Sequence, residues 1–230
     1  VERSTDNPFE EFNLGGNTSK SIELKEILDN IEKAKNDDNI KAIYINTAYV
    51  NAGLSQIEEI RNKLLDFKSS KKPIIAYSEV YSQTAYYLAS IADEIYLNPA
   101  GIVELKGFSI SQMFYKDLLE KLDIDIQIIR HGKFKSAVEP FTLNEMSDEN
   151  REQMSLLVNS LSNNIISSIA KERKLSTELI NQHTNNLSLE NAKKCLDLGY
   201  VDGLIYQDQL EKKLISITKD KKLNLVSLTK

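Results

Sequence analysis

The chain has 230 residues, of which 41% are hydrophobic and 27% charged, proportions usual for a soluble globular protein with a sizeable core. Its net charge of −5 argues against general nucleic-acid binding, which needs a basic face. One cysteine, Cys195, rules out an internal disulfide, and with only His131 and His183 beside it a zinc site of the usual kind lacks ligands, so no metal or cofactor is implied.

No apolar run approaches the roughly 20 residues that span a bilayer. The opening VERSTDNPFEEF has neither an initiator Met nor a charged-then-apolar leader, so we expect a chain trimmed at its front. Residues 1–20, polar and carrying Gly15-Gly16, read as a flexible lead-in. Ser21 is placed to cap a helix striped by Leu24, Ile27, Leu28 and Ile31. KAIYINT (41–47) reads as a strand. In NAGLSQIEEIRNKLLDF, Ser55 and Glu58 have capping-box spacing ahead of a stripe of Ile57, Ile60, Leu64 and Leu65.

KPIIAYS (72–78) is a second strand, SQTAYYLASIA a helix, and EIYLN (94–98) a third strand. A turn is expected at Pro99-Ala100-Gly101, then extended chain through IVELKGFSI, a helix over 111–122 and a strand over 125–130. Ser147, with Asp148 and Glu149 in the first turn, opens a long helix running to about residue 174. Helices at 176–183 and 188–198 follow, with Gly199 at the C-cap, GYVDGLIY turning into a strand, and a last helix over 208–218. Strand and helix alternating in short steps predict an α/β domain with largely parallel pairing. We expect one domain over 21–230, its 146–230 part mostly helical.

HGKFKSAVEPF (131–141) carries the first chemical question. Lys135 is either a solvated loop lysine or a desolvated, neutral amine serving as base to a hydroxyl nucleophile. Its place after an apolar strand suits the second role, because strand ends face the crevice in α/β folds. Ser136 is rejected as the nucleophile, since neighbours on extended chain point to opposite faces. Gly53, in NAGL between strand and helix, offers backbone N–H groups to an oxyanion or is a simple βα turn. Ser82 and Thr84 are available hydroxyls at the next strand-to-helix junction, but the flanking glycines of a nucleophile elbow are absent. His131 has no acid spaced to orient it. Tyr86 and Tyr87 read as helix packing.

On FKSAVEPF, YSQTAYYLASIADEIYLNPAG and LDLGYVDGLIY, the chain resembles the signal peptide peptidase A (protease IV) family, from about residue 20 to its end. That family consists of membrane-anchored bacterial serine peptidases with a Ser-Lys dyad on a ClpP/crotonase-like fold of repeated β-β-α units. In its long form two homologous halves share one active site, the N-terminal half giving the lysine and the C-terminal half the serine. The resemblance implies that this chain is such an N-terminal half, with Lys135 as general base. Halves bearing the nucleophile carry a Ser-Gly-Gly-Tyr type motif; the matching serine position here is Gln83, and no glycine follows it. The implied nucleophile therefore lies outside this chain, and Gly53 sits where such halves place an oxyanion glycine. Phe134, Val138 and Phe141 would dry the pocket around the lysine. Implied partners are apolar signal-peptide remnants, a serine-bearing C-terminal half, further copies of the protein and a membrane reached through an anchor absent from this chain. The implied location is the bacterial cell envelope, the domain facing outward from the inner membrane. A crotonase-like acyl-CoA enzyme and a catalytically inert scaffold are the competing readings.

Overall fold

The computed structural model describes residues 22–127, 136–219 and 222–228. The expected lead-in over 1–20 and the Ser21 cap lie outside them. The chain divides into two compact units, one of residues 1–105 and 169–230, the other of residues 106–168.

In the first unit, the described residues form a four-stranded sheet whose order follows the chain: β1 (Ile43–Asn46), β2 (Ile74–Tyr81), β3 (Glu94–Val103) and β4 (Gly203–Leu204). All neighbours are parallel, with Ile43 opposite Ile74, Ile75 opposite Glu94 and Tyr96 opposite Gly203. Parallel strands need crossovers, and α1 (Leu24–Asn36), α2 (Leu54–Phe67), α3 (Gln83–Ala89), α7 (Thr177–Asn185), α8 (Ala192–Asp197) and α9 (Gln207–Thr218) supply the helical layers. Covered on both faces, β2 is apolar nearly throughout: Ile74, Ile75, Ala76 and Tyr77 are all buried. Ile75, Tyr77 and Tyr96 meet Leu210 and Leu214 of α9 on one face. α2 turns Ile57, Ile60, Arg61, Leu64 and Phe67 inward at helical spacing. The architecture is α/β with a parallel sheet, the class that the alternation of strand and helix predicts.

Several local expectations give way. The helix α2 starts at Leu54 with Gly53 as N-cap, so the return half of its capping box comes from Gln56, whose Oε1 accepts from Gly53 N–H at 2.9 Å, and not from a Ser55–Glu58 pair. No turn ends β3 at Pro99-Ala100-Gly101; the strand continues to Val103 through a bulge in which Glu79 alone of β2 faces residues 98–101 of β3. Pro99 fits there because a bulge asks no ladder bond of its missing N–H. Gly101 is required there: a Cβ would lie 2.3 Å from the Glu79 carbonyl oxygen and 2.8 Å from Leu97 Cδ1. Only Ile102 and Val103 of the expected extended stretch are strand. The helix expected from residue 188 begins at Ala192 under an Asn191 cap, because Ser188 N–H donates to His183 O and closes α7. Gly199, at φ 80°, stands one residue past the C-cap Leu198 of α8; its N–H reaches Leu196 O while Tyr200 N–H reaches Cys195 O.

The second unit holds α4 (Lys116–Lys121), a 3₁₀ turn over Ser136–Val138, the single-turn α5 (Glu139–Thr142) and most of α6 (Asp148–Arg173), whose last residues count with the first unit. The helix expected over 111–122 is confined to 116–121. Tyr115 N–H is held by Pro140 O at 2.6 Å, which fixes the start. Of the strand expected over 125–130, residues 125–127 are irregular and the rest lie outside the described residues. Ser147 caps α6 as expected, its Oγ accepting from Asn150 N–H at 3.2 Å.

Candidate active site

Parallel strands deliver their C-terminal ends to one edge of the sheet, and in open α/β sheets that edge carries the ligand crevice. β1 leaves it through residues 47–53 into α2, and β2 leaves it directly into α3. The two exits are tied together by Ser82 N–H donating to Ala48 O at 2.9 Å. Thr47 Oγ1 donates to Tyr49 O at 2.8 Å and shapes the first loop.

Gly53 stands at this edge with φ −65° and ψ 150°, backbone that any residue can adopt. A Cβ there would meet only Gln56 Oε1, at an ordinary 3.6 Å. Nothing within the chain therefore demands a glycine, unlike at Gly101. Its N–H, the donor an oxyanion would use, is engaged by Gln56 Oε1.

At the β2–α3 junction, Ser82 is the N-cap: its Oγ accepts from Ala85 N–H at 3.3 Å and lies 3.3 Å from Thr84 Oγ1. Both hydroxyls thus serve the first turn of α3. Gln83 is the first residue of that helix and is half-buried. Tyr86 and Tyr87 pack as expected. Tyr86 is fully buried and donates from its hydroxyl to Tyr200 O at 2.7 Å. Tyr87 lies under the buried Arg61 guanidinium, 4.1 Å from carbon to ring centroid. Arg61 also donates to Ser90 Oγ at 2.8 Å and to Tyr87 O, anchoring the far end of α3. Burial presses the Arg61 guanidinium and the Tyr86 phenol toward their neutral forms, Tyr86 being raised well above an ordinary phenol.

Lys135, His131 and Phe134 lie outside the described residues. The segment directly after Lys135 does not. Ser136 and Val138 are half-buried in the 3₁₀ turn, and Phe141 is 43% exposed, its ring stacked on Tyr115 at 6.1 Å between centroids. Sequence reasoning passed over Glu139, which is buried and accepts from Ser147 Oγ at 2.5 Å, Ser147 N–H at 3.2 Å and Asn150 Nδ2 at 2.9 Å. The signal was available in KSAVEPF: a carboxylate directly ahead of a proline, eight residues before the Ser147 cap of an acid-rich helix start. Beside it, Lys116 and residues 143–148 line a pocket of about 380 Å³. Among the described residues there is no cluster of three or more His, Cys, Asp or Glu fit to hold a metal, and no helix long and apolar enough to cross a membrane.

Residues 66–221 match the model of peptidase family S49. The chain is 33% identical to Protease 4 of Haemophilus influenzae, covering 92% of this chain and 36% of that protein. It is 34% identical to Protease 4 of Salmonella typhi, covering 88% and 34%, and 28% identical to the chloroplastic serine protease SPPA of Arabidopsis thaliana, covering 92% and 32%. The chain thus spans about a third of the length of these curated relatives.

Proposed function

Because the chain belongs to peptidase family S49, we propose that it is the lysine-donating half of a serine endopeptidase whose serine lies outside residues 1–230. One observation carries the division of labour: at the junction where a nucleophile is expected, the helix opens on Gln83, and the neighbouring Ser82 hydroxyl is committed to capping. The hydroxyl must then come from another part of the protein, a serine-bearing C-terminal half.

In this reading neutral Lys135 takes the proton of that serine as its oxygen attacks the scissile carbonyl. Backbone N–H groups stabilise the tetrahedral anion, and Lys135 returns the proton to the leaving amine. Water then hydrolyses the acyl-enzyme. Gly53 supplies a substrate contact once Gln56 swings off its N–H. That role is supported by a glycine that nothing inside the chain requires: its φ is ordinary, and a Cβ there would meet only Gln56 Oε1, at 3.6 Å. Phe141, 43% exposed, and Val138 suit apolar substrates, the remnants of signal peptides. The same reading places the protein in the bacterial cell envelope, anchored in the inner membrane and assembled with copies of itself.

An inert scaffold is the second reading, favoured by Gln83 itself. Peptide hydrolysis by the full-length protein separates the two, with Lys135→Ala and Lys135→Arg beside wild type and the isolated chain as a fourth sample. The dyad predicts background rates for both variants and for the isolated chain, with unchanged melting temperature in the variants. Activity retained by both variants would leave the scaffold reading standing, and turnover by the isolated chain would refute the external serine.

A further inference from the structure

We propose that the pocket beside the start of α6 is a peptide subsite that takes a basic side chain, with an apolar shelf next to it for the residues that flank that side chain. That the occupant is a peptide rests on the proposed peptidase role; Lys135 has no part in the site.

The pocket lies within the second unit, where Lys116 of α4 and residues 143–148 enclose about 380 Å³, a volume in the range of ligand pockets, roughly 300–1,000 Å³. Its charges do not balance. Lys116 is the one cation of the lining, and it leans toward Glu120 at 3.9 Å. Glu145 and Asp148 are two anions, and neither has an ion-pair partner among the described residues. Asp148 stands in the first turn of a 26-residue helix, whose dipole supports an anion. Glu145 precedes the helix and has no such support.

Apolar groups surround these charges. Leu143 and Met146 belong to the pocket wall. Phe141, two residues ahead of Leu143, stacks on Tyr115, the neighbour of Lys116. The Tyr115 hydroxyl in turn reaches Met113 Sδ at 3.8 Å, and Met113 is 71% exposed. Met113, Tyr115 and Phe141 thus form one shelf of touching side chains that continues into the pocket. Methionine and aromatic rings adapt to apolar partners of varied shape.

A lysine or arginine side chain matches this make-up, with an aliphatic stem for Leu143 and Met146 and a cation for the carboxylates. An acidic side chain would meet an excess of like charge. A bare metal ion would find too few ligands, since no group of three or more His, Cys, Asp or Glu stands together among the described residues. Pocket and shelf together read a basic residue joined to apolar ones, the pattern with which secretory signal peptides begin.

The test is stopped-flow fluorescence anisotropy on the full-length protein, whose fast phase reports binding ahead of turnover. The probes are labelled apolar peptides that differ only at a central lysine, glutamine or glutamate. We expect the lysine peptide to bind about five-fold more tightly than the glutamine peptide, as exposed charge pairs allow, and the glutamate peptide to bind least. The preference should fade at about 1 M salt, where the screening length is about 3 Å. Glu145→Gln combined with Asp148→Asn should remove it, and Glu145→Lys should reverse it. Glu145 lies outside the helix, so Glu145→Lys decides the matter even if Asp148→Asn weakens the start of α6. Met113→Ser should weaken all three peptides alike and leave the preference intact. Equal affinity for the three peptides, or a preference that survives both charge variants, would overturn the subsite. Hydrolysis of the same peptides by wild type then tells the failures apart: turnover without preference removes the subsite alone, and no turnover removes the peptidase role as well. Binding of zwitterionic lipid vesicles that the charge variants abolish, with no preference among the peptides, would overturn the subsite in favour of a membrane contact.

Discussion

An alanine methyl at residue 101 would sit 2.3 Å from the Glu79 carbonyl oxygen, whereas one at residue 53 would meet only a side-chain oxygen at 3.6 Å. Backbone on both sides of the β3 bulge leaves Gly101 no room to yield. Gly101→Ala should therefore cost about 3 kcal/mol, and Gly53→Ala about 1 kcal/mol or less. Chemical denaturation of the two variants checks this, and equal losses would contradict the bulge geometry. The contrast also marks what the residue types disclosed. A glycine after Asn98-Pro99 was legible as a special position, but it read as a turn, because the partner it presses on, Glu79, is on another strand. Glu139 was hidden for the same reason: its donors lie 8 and 11 residues downstream.

Elements whose cause is local were readable, and those with distant causes were not. The stripe of Ile57, Ile60, Leu64 announced α2, the β-branched run at 74–75 announced β2, and Ser147 and Gly199 marked helix ends correctly. The start of α4, by contrast, depends on Pro140 O holding Tyr115 N–H from 25 residues away, and no local pattern at 111–115 encodes it. α3 is short and leans on its ends: Ser82 caps the first turn and Arg61 holds the last. Ser82→Ala should destabilise the protein by about 1 kcal/mol, and Ser82→Asp, which keeps a capping acceptor, by much less. Urea midpoints decide it. A Ser82→Ala variant of full stability without peptidase activity would make Ser82 a reacting group and not a cap.

At the scale of the whole molecule, three buried tyrosines and the half-buried Tyr44 share one response to alkali. Burial raises Tyr44 to about 12 and also lifts Tyr81, Tyr86 and Tyr200 well above the ordinary value. Unfolded, each titrates near pH 10. Above that pH the unfolded chain sheds protons that the folded chain retains, so stability, fully present below pH 10, falls as pH rises through 12. Denaturation series from pH 8 to 11.5 should show this fall, accompanied by phenolate absorbance; constant stability would refute it. Tyr44→Phe should soften the fall and cost nothing at neutral pH, since the buried Tyr44 hydroxyl finds no hydrogen-bond partner among the described residues. At this scale the α/β class was legible from the alternation of elements. The proposed site rests on the KSAVEPF resemblance alone, because spacing leaves Lys135 indistinguishable from a solvated lysine.

The sheet order has a consequence for synthesis. β1, β2 and β3 are complete by Val103, but β4 begins at Gly203. A ribosome adding roughly 5–20 residues per second leaves the outer edge of Tyr96 and Leu97 without its strand for about 5–20 seconds. Through that interval a nascent chain offers an open, apolar template to any extended peptide nearby, which is the kind of surface that holding chaperones cover. The final strand, two residues long and backed by Asp202 and Arg173, closes that window only after the whole second unit has been made.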